Sequence, residues 1–188
     1  GVQSIYPLPK EIVIDQINSV MDDLTPDVVK IGMLADIDII NYISTTINDH
    51  KIILDPVMVA TSGDILVNEE IIDSIKNNLI KKSFLITPNI YEAEILSGIK
   101  IKNLEDQIAA GKKLKNNGCA NVLIKGGHGN LEDIHDVLIT SEAKQHIFKS
   151  KKIKTKNTHG TGCTLASAIA VNIGHKNDIT ESIDVSIK

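Results

Sequence analysis

The sequence predicts an α/β fold, a mainly parallel sheet with helices on both faces in a three-layer arrangement. Three observations carry that expectation. Short apolar runs recur along the chain and end in polar tips, as strands buried on both faces do. Between them, apolar residues return at helical spacing. The composition is that of a folded chain, with 188 residues, 42% of them hydrophobic, and only 12 Gly and 5 Pro, which argues against a disordered or fibrous protein. One domain, residues 1–188, is expected at this length, large enough to bury a substantial core. With three Tyr, two Phe and no Trp, that core must be aliphatic.

The first strand is expected at Val28–Leu34, behind Thr25-Pro26. Ile37, Ile40, Ile43 and Ile47 then fall near one face of a helix. Ile52-Ile53-Leu54 reads as a buried parallel strand ending at Asp55-Pro56. Asn68-Glu69-Glu70 opens a helix with acids in its first turn, lined by Ile71, Ile72, Ile75 and Leu79. Phe84–Ile86 is a further strand ending at Thr87-Pro88-Asn89; two short helices follow, the second spanning Leu104–Asn116 and stopping at Gly118. Val122-Leu123-Ile124 ends at Lys125-Gly126-Gly127, and Val137–Thr140 and His146–Phe148 are expected to pair antiparallel about Ser141-Glu142. A long helix runs from Gly162 to Gly174. In repeated β-α units, right-handed crossovers bring the carboxyl ends of the parallel strands to one rim, where ligands bind.

Net charge is −4, so nothing electrostatic points to nucleic acid or an anionic membrane, and so few aromatics leave little for base stacking. Every one of the 20 basic residues is Lys. A bound phosphate must therefore be met by ammonium groups, backbone N–H groups, helix N-termini or a metal, not by a guanidinium fork. Cys119 and Cys163 form no C-x-x-C pair, which fits a reducing, cytoplasmic setting. The start at Gly1-Val2-Gln3-Ser4-Ile5-Tyr6-Pro7 has neither the basic opening nor the apolar core of a secretory signal. Leu165–Ile173 is apolar but short and contains Ser167 and Asn172, well below the ~20 residues a membrane span needs. No membrane partner is expected.

Polar residues gather at the strand ends. Asp55 follows one strand, Asn89 and Glu92 the next, Lys125 a third, and His159-Gly160-Thr161-Gly162-Cys163 precedes a helix. Each has an ordinary structural reading as well. Asp-Pro is a common turn, Asn89-x-x-Glu92 is the pattern of a helix cap with its acid at the third position, and Lys125-Gly-Gly is compatible with a solvated turn. Two acids, an amide, a Lys and a Gly-rich loop on one edge are not expected of independent turns. Gly160 and Gly162 allow close backbone approach to a ligand, and the following helix offers unpaired N–H groups and a positive dipole end. That is an anion site without arginine. The Cys163 thiol stands at the same N-terminus, where the dipole favours thiolate; Cys119, in a turn, reads as structural. Neither the Walker A pattern nor the Rossmann fingerprint is present.

Five runs carry a resemblance. Lys30-Ile-Gly-Met-Leu34, Asp55-Pro-Val-Met-Val-Ala-x-Ser-Gly-Asp64, Thr87-Pro-Asn-x-x-Glu-Ala-Glu94, Val122-Leu-Ile-Lys-Gly-Gly-His128 and Asn157-Thr-His-Gly-Thr-Gly-Cys-Thr-Leu165 together resemble the hydroxymethylpyrimidine/phosphomethylpyrimidine kinases of the ribokinase-like superfamily. The match is ordered and spans nearly the whole chain. It implies ATP-dependent phosphorylation of 4-amino-5-hydroxymethyl-2-methylpyrimidine, a small-molecule alcohol, and then of its monophosphate, in thiamin biosynthesis. It also implies Mg²⁺, a monovalent cation as a further candidate cofactor, and a homodimer. By this resemblance Gly160, Thr161 and Gly162 form the anion hole and Cys163 receives the substrate hydroxyl proton. Asn89 and Glu92 position hydrated Mg²⁺ with support from Asp55. Lys125 and Thr158 serve the nucleotide, and Met33 and Val57, with Cys163, touch the pyrimidine. His128 and His159 lack metal-ligand spacing and read as supporting residues.

The resemblance has one departure. Family members usually begin with a strand and a Gly-Ser-Asp, Gly-Gly-Ala-Gly segment ahead of a Gly-Val-Gln run such as residues 1–3. Roughly the first quarter of such an enzyme has no counterpart in the chain, and Ile187-Lys188 falls within an expected helix. Either the chain is part of a longer protein or it is a truncated product, and in the second case it would be expected to fold poorly and lack kinase activity. Two other functions compete with the leading one: a pyridoxal or pyridoxine kinase of the same superfamily, and a non-catalytic pyrimidine- or nucleotide-binding module. The module would need neither the base nor the metal motif.

Overall fold

Six strands lie side by side in chain order, β1 (Val28–Ile31), β2 (Lys51–Leu54), β3 (Leu85–Ile86), β4 (Asn121–Ile124), β5 (Asp133–Ile139) and β6 (Gln145–Lys151). The structure is a computed structural model and describes residues 6–47, 49–59, 65–127, 133–153, 155 and 158–188. β1 to β4 are mutually parallel, with Ile53 beside Leu85 and Leu85 beside Asn121. β4–β5 and β5–β6 are antiparallel. Helices α2 (Ile37–Thr46), α3 (Glu69–Ser74), α4 (Ile90–Ser97) and α5 (Leu104–Asn116) connect the parallel strands. Because the strand order is monotonic, right-handed crossovers put all four on one face. The last helices, α6 (Thr161–Gly174) and α7 (Ile179–Ile187), cover the other.

Alternation along each strand divides the core accordingly. Ile52, Leu54, Val122 and Ile124 face α2 to α5, packing with Ile40, Ile43, Leu79 and Leu114. Ile53, Leu85, Leu123 and Leu138 face the opposite way, against Ile169 and Ile173 of α6 and Ile183 of α7. Strands buried on both sides have no polar positions to alternate, which is why they read as continuous apolar runs.

Local chemistry explains where the elements begin and end. Asp36 caps α2, accepting from the Asp38 and Ile39 N–H groups at 2.8 and 3.1 Å, and Asn68 and Asn103 cap α3 and α5 in the same way. α3 continues through a π turn at Ile75–Leu79 and a 3₁₀ turn at Ile80–Lys82. The expected strand Val28–Leu34 stops three residues early, at Ile31. Its neighbour β2 ends at Asp55-Pro56, whose proline has no N–H to extend the ladder; the last link is Asp55 N–H to Ile31 O at 2.9 Å. Phe84–Ile86 shortens to Leu85–Ile86, whereas the antiparallel pair is longer than expected at both strands.

One helix lies outside the sequence expectation. α1 (Lys10–Leu24) precedes β1 and has no side-chain N-cap and no fully buried residue. Val13, Ile17 and Met21 pack only partly against the core, so the apolar stripe that marks a core helix is diluted by exposed Ile12, Val20 and Leu24. Among the described residues, no helix is long and apolar enough to cross a membrane.

α6 is held to the sheet mainly by fully buried Ile169 and its neighbours. Ile169→Ala should cost about 2–5 kcal/mol of folding stability. Urea denaturation measures this, and a loss below about 1 kcal/mol would mean that α6 is not anchored through this face.

Candidate active site

The four parallel strands all end on one rim. Gly32-Met33 leaves it from β1, Asp55 to Met58 from β2, Thr87 to Asn89 from β3, and Lys125 to Gly127 from β4. The rim's centre is an ion pair. Lys125 Nζ lies 2.7 Å from Asp55 Oδ1, with side-chain exposures of 13% and 2%, and the Thr87 hydroxyl donates to the same oxygen at 3.2 Å. Lys125 is aimed there by its main chain: its N–H donates to Pro88 O at 2.8 Å, continuing the parallel pairing of β4 with β3 beyond the strand ends as the bridge Asn89–Lys125.

Glu92 is 2% exposed on the first turn of α4. It forms a capping box with Asn89. The Asn89 N–H donates to Glu92 Oε2 at 2.8 Å, and the Glu92 N–H donates to Asn89 Oδ1 at 2.9 Å. The other carboxylate oxygen accepts the Met58 N–H at 3.3 Å. Burial pushes the Glu92 carboxyl up to about 7, aided by the Asp55 charge and opposed by the Asn89 and Met58 N–H groups and the Lys125 ammonium.

The Gly-rich run meets this cluster from the second face of the sheet. Gly160 is the N-cap of α6 with φ of +81°, a left-handed conformation that favours glycine. Among the described residues, no neighbour would lie within 4 Å of a side chain there. Among the described residues no side chain caps α6, and the Thr161 hydroxyl donates to Thr158 O at 2.9 Å. A Cβ on Gly162 would sit 3.1 Å from Lys125 Nζ. The start of α6 therefore abuts the same ammonium that Asp55 holds. Cys163, one residue further, is exposed, whereas buried Cys119 has its thiol pushed up to about 12 by desolvation.

Of the sequence-predicted residues, Asp55, Asn89, Glu92, Lys125 and Gly162 converge. Gly160, Thr161 and Cys163 flank them on an exposed helix start, with Thr158 and His159 just before it. Val57 follows Asp55, its N–H on Asp55 O at 2.8 Å, and Met33 is an exposed residue of the loop after β1. His128, Asn157 and the run 60–64 lie outside the described residues. Among the described residues no three His, Cys, Asp or Glu side chains are grouped to hold a metal. What the rim offers a cation is hard oxygen: two buried carboxylates facing one ammonium, a set that carries an excess negative charge when both acids are ionised.

The phosphomethylpyrimidine kinase family matches residues 1–188. The chain belongs to that family. The hydroxymethylpyrimidine/phosphomethylpyrimidine kinase of Bacillus subtilis is 39% identical over 99% of this chain. The chain spans 70% of that relative's length, 65% of the Salmonella typhimurium enzyme of the same name, and 38% of a bifunctional thiamine biosynthesis protein of Geobacter sulfurreducens. Among solved structures, the phosphomethylpyrimidine kinase of Clostridium difficile superposes with a TM-score of 0.85 at 35% identity, covering 99% of this chain and 77% of that one. An ADP complex of Bacillus subtilis pyridoxal kinase gives 0.88 at 30% identity over 98% of this chain and 69% of that one. The fold is thus the ribokinase-like one that the resemblance implied, in a family of kinases of thiamine biosynthesis.

The Glu92 carboxyl binds its proton more tightly in the folded chain than at its ordinary value of 4.5. In metal-free protein its contribution to stability is therefore fullest below about pH 4.5 and declines as the pH rises through about 7. Glu92→Gln removes that decline. The stability of this variant relative to the parent should climb between about pH 5 and about pH 8 and then level off, as read by denaturation curves across pH. A difference that stays flat across this window would show that Glu92 ionises normally.

Proposed function

We propose that this protein transfers the terminal phosphoryl group of ATP to the hydroxymethyl oxygen of 4-amino-5-hydroxymethyl-2-methylpyrimidine, and then phosphorylates the monophosphate. The observation that carries the reading is the Lys125 ammonium, held on Asp55 at 2.7 Å and lying against Gly162 at the start of α6. A cation, uncapped main-chain amides and an exposed thiol then lie along one short stretch of rim. Phosphoryl transfer asks chiefly for positioning and charge stabilisation, and this arrangement supplies both without arginine.

In this reading the amides of Gly160, Thr161 and Gly162 face the equatorial oxygens of the transferring group. Lys125 meets the ATP phosphates as a point charge, and Thr158 borders the nucleotide. Cys163 takes the proton from the substrate hydroxyl as that oxygen bonds to phosphorus and the bond to the ADP oxygen breaks. Met33 and Val57 flank the pyrimidine ring. Asp55, Asn89 and Glu92 suit a hydrated Mg²⁺ held through its water molecules, since their oxygens are hard donors and several already accept N–H groups. When bound, that ion would neutralise phosphate charge. A homodimer, a cytoplasmic setting and a monovalent cation belong to the same proposal by resemblance.

The pyrimidine is favoured over pyridoxal by the family match along the whole chain and by the 39% identity to the Bacillus subtilis relative. An ADP-release assay with both alcohols tests the choice, the pyrimidine giving the higher kcat/KM. In the same assay Cys163→Ala should lower turnover by ~10²–10⁴ with the fold intact. Unchanged turnover would remove Cys163 from the role of base. Pyrimidine binding without any Mg·ATP turnover in the native-length protein would make this a binding module instead.

A further inference from the structure

The Lys125 ammonium lies on Asp55 at the point where β4 parts from β5. The β4–β5 register runs Val122–Ile139, Leu123–Leu138, Ile124–Val137 and stops there. Carried two steps further it would set Lys125 opposite Asp136 and then Gly126 opposite His135. Lys125 N–H stays on the β3 side, where strand alternation puts it, and donates to Pro88 O at 2.8 Å, while Ile124 O and the Gly126 N–H face the β5 side and β5 goes on pairing with β6 as far as Asp133. Such a fork exposes backbone polar groups inside the protein, and each needs a partner.

Two side chains provide them. Buried Gln107 of α5 reaches into the fork, and its Nε2 donates to Ile124 O and to His135 O, both at 3.0 Å. Asp136 of β5, 7% exposed, accepts the Gly126 N–H on Oδ1 at 2.6 Å. Gly126 can turn here only because it lacks a side chain: a Cβ would lie 2.5 Å from the His135 carbonyl oxygen. Neither Gln107 nor Asp136 belongs to any of the runs that carry the family resemblance.

We propose that Asp136 and Gln107 are positioning residues of the kinase site, closing the fork so that Lys125 stays on the β3 side with its ammonium on Asp55. This rests on the reading of Lys125 as the group that meets the ATP phosphates. The hydrogen bond to a carboxylate is the stronger of the two contacts, so Asp136 carries more of the effect. Asp136→Ala should raise the Michaelis constant for ATP about tenfold and leave that for the pyrimidine within about twofold. Asp136→Asn keeps an oxygen for the Gly126 N–H and should return the ATP value to within about threefold of the parent. Gln107→Met, similar in shape but without the donor, should shift the ATP constant in the same direction by less, and it carries the test if the alanine variant does not fold.

Steady-state kinetics on the native-length protein, with Lys125→Met alongside, decides the matter. An ATP-selective rise in Asp136→Ala or Gln107→Met, rescued by Asp136→Asn, supports the proposal. Equal Michaelis constants in these variants and the parent, or a loss confined to kcat that tracks the folded fraction, overturns it while Lys125→Met still impairs ATP use. If Lys125→Met leaves ATP kinetics unchanged, the reading of Lys125 fails and the proposal falls with it, a result separable because it involves neither Asp136 nor Gln107.

Discussion

The ion pair between Lys125 and Asp55 is the constraint around which the rim is arranged. It joins the tips of β2 and β4 across β3, and it is almost wholly withdrawn from water. Such a pair is a poor device for stability, because desolvating two charges offsets most of their attraction. Its value is geometric. An ammonium fixed by Asp55, with Thr87 sharing the same oxygen, is already oriented before any ligand arrives, and preorganised charge needs no rearrangement when new charge develops nearby. The surroundings follow from it. A Cβ on Gly162 would press on that ammonium at 3.1 Å, and Glu92 holds its proton tightly because it is buried, with the Asp55 charge adding to the effect.

Two separate cores bring the parts together. The face carrying α2 to α5 fixes the acids, since Asp55 leaves β2 between buried Leu54 and Met58, and Glu92 is set by the α4 cap beside buried Ala93. The opposite face fixes the amides, since α6 is seated through Ile169, Ala170 and Ile173 on Ile53, Leu85 and Leu123. Only the sheet lies between these layers, and Lys125 at its edge touches both. A disturbance in either core therefore reaches the site as a displacement of acid relative to amide.

Much of this was legible in the sequence, for identifiable reasons. Strands buried on both faces leave uninterrupted Ile, Leu and Val runs, and Pro56, Pro88 and the Gly126-Gly127 pair mark where they stop. Apolar spacing announced α2, Asn68 with the acids behind it announced α3, and Asn89-x-x-Glu92 was legible as a helix cap. The structure makes it a complete capping box, and the same carboxylate still faces Asp55 and Lys125. α1 was invisible because it has no cap and its apolar residues are spread over both a core-facing and an exposed side. Gln107 and Asp136 were invisible for another reason. A single polar residue in a helix or a strand has no pattern; its meaning depends on the register between β4 and β5, which no local spacing encodes.

That register also explains why the sheet changes direction where it does. In an open parallel sheet, sites form where neighbouring chains leave the edge in different directions. Among the described residues the strand order does not reverse, so these six strands form no crevice in that way. The change from parallel to antiparallel at β4–β5 takes its place. A parallel neighbour would end on the same rim as β4 and offer another carboxyl-end loop. The antiparallel β5 instead enters from that rim, carrying Asp136 one residue before its first pairing with β4. An incoming strand can meet an outgoing one side chain to backbone, and that meeting lets β4 leave its partner with its polar groups satisfied and present Lys125 to the cleft.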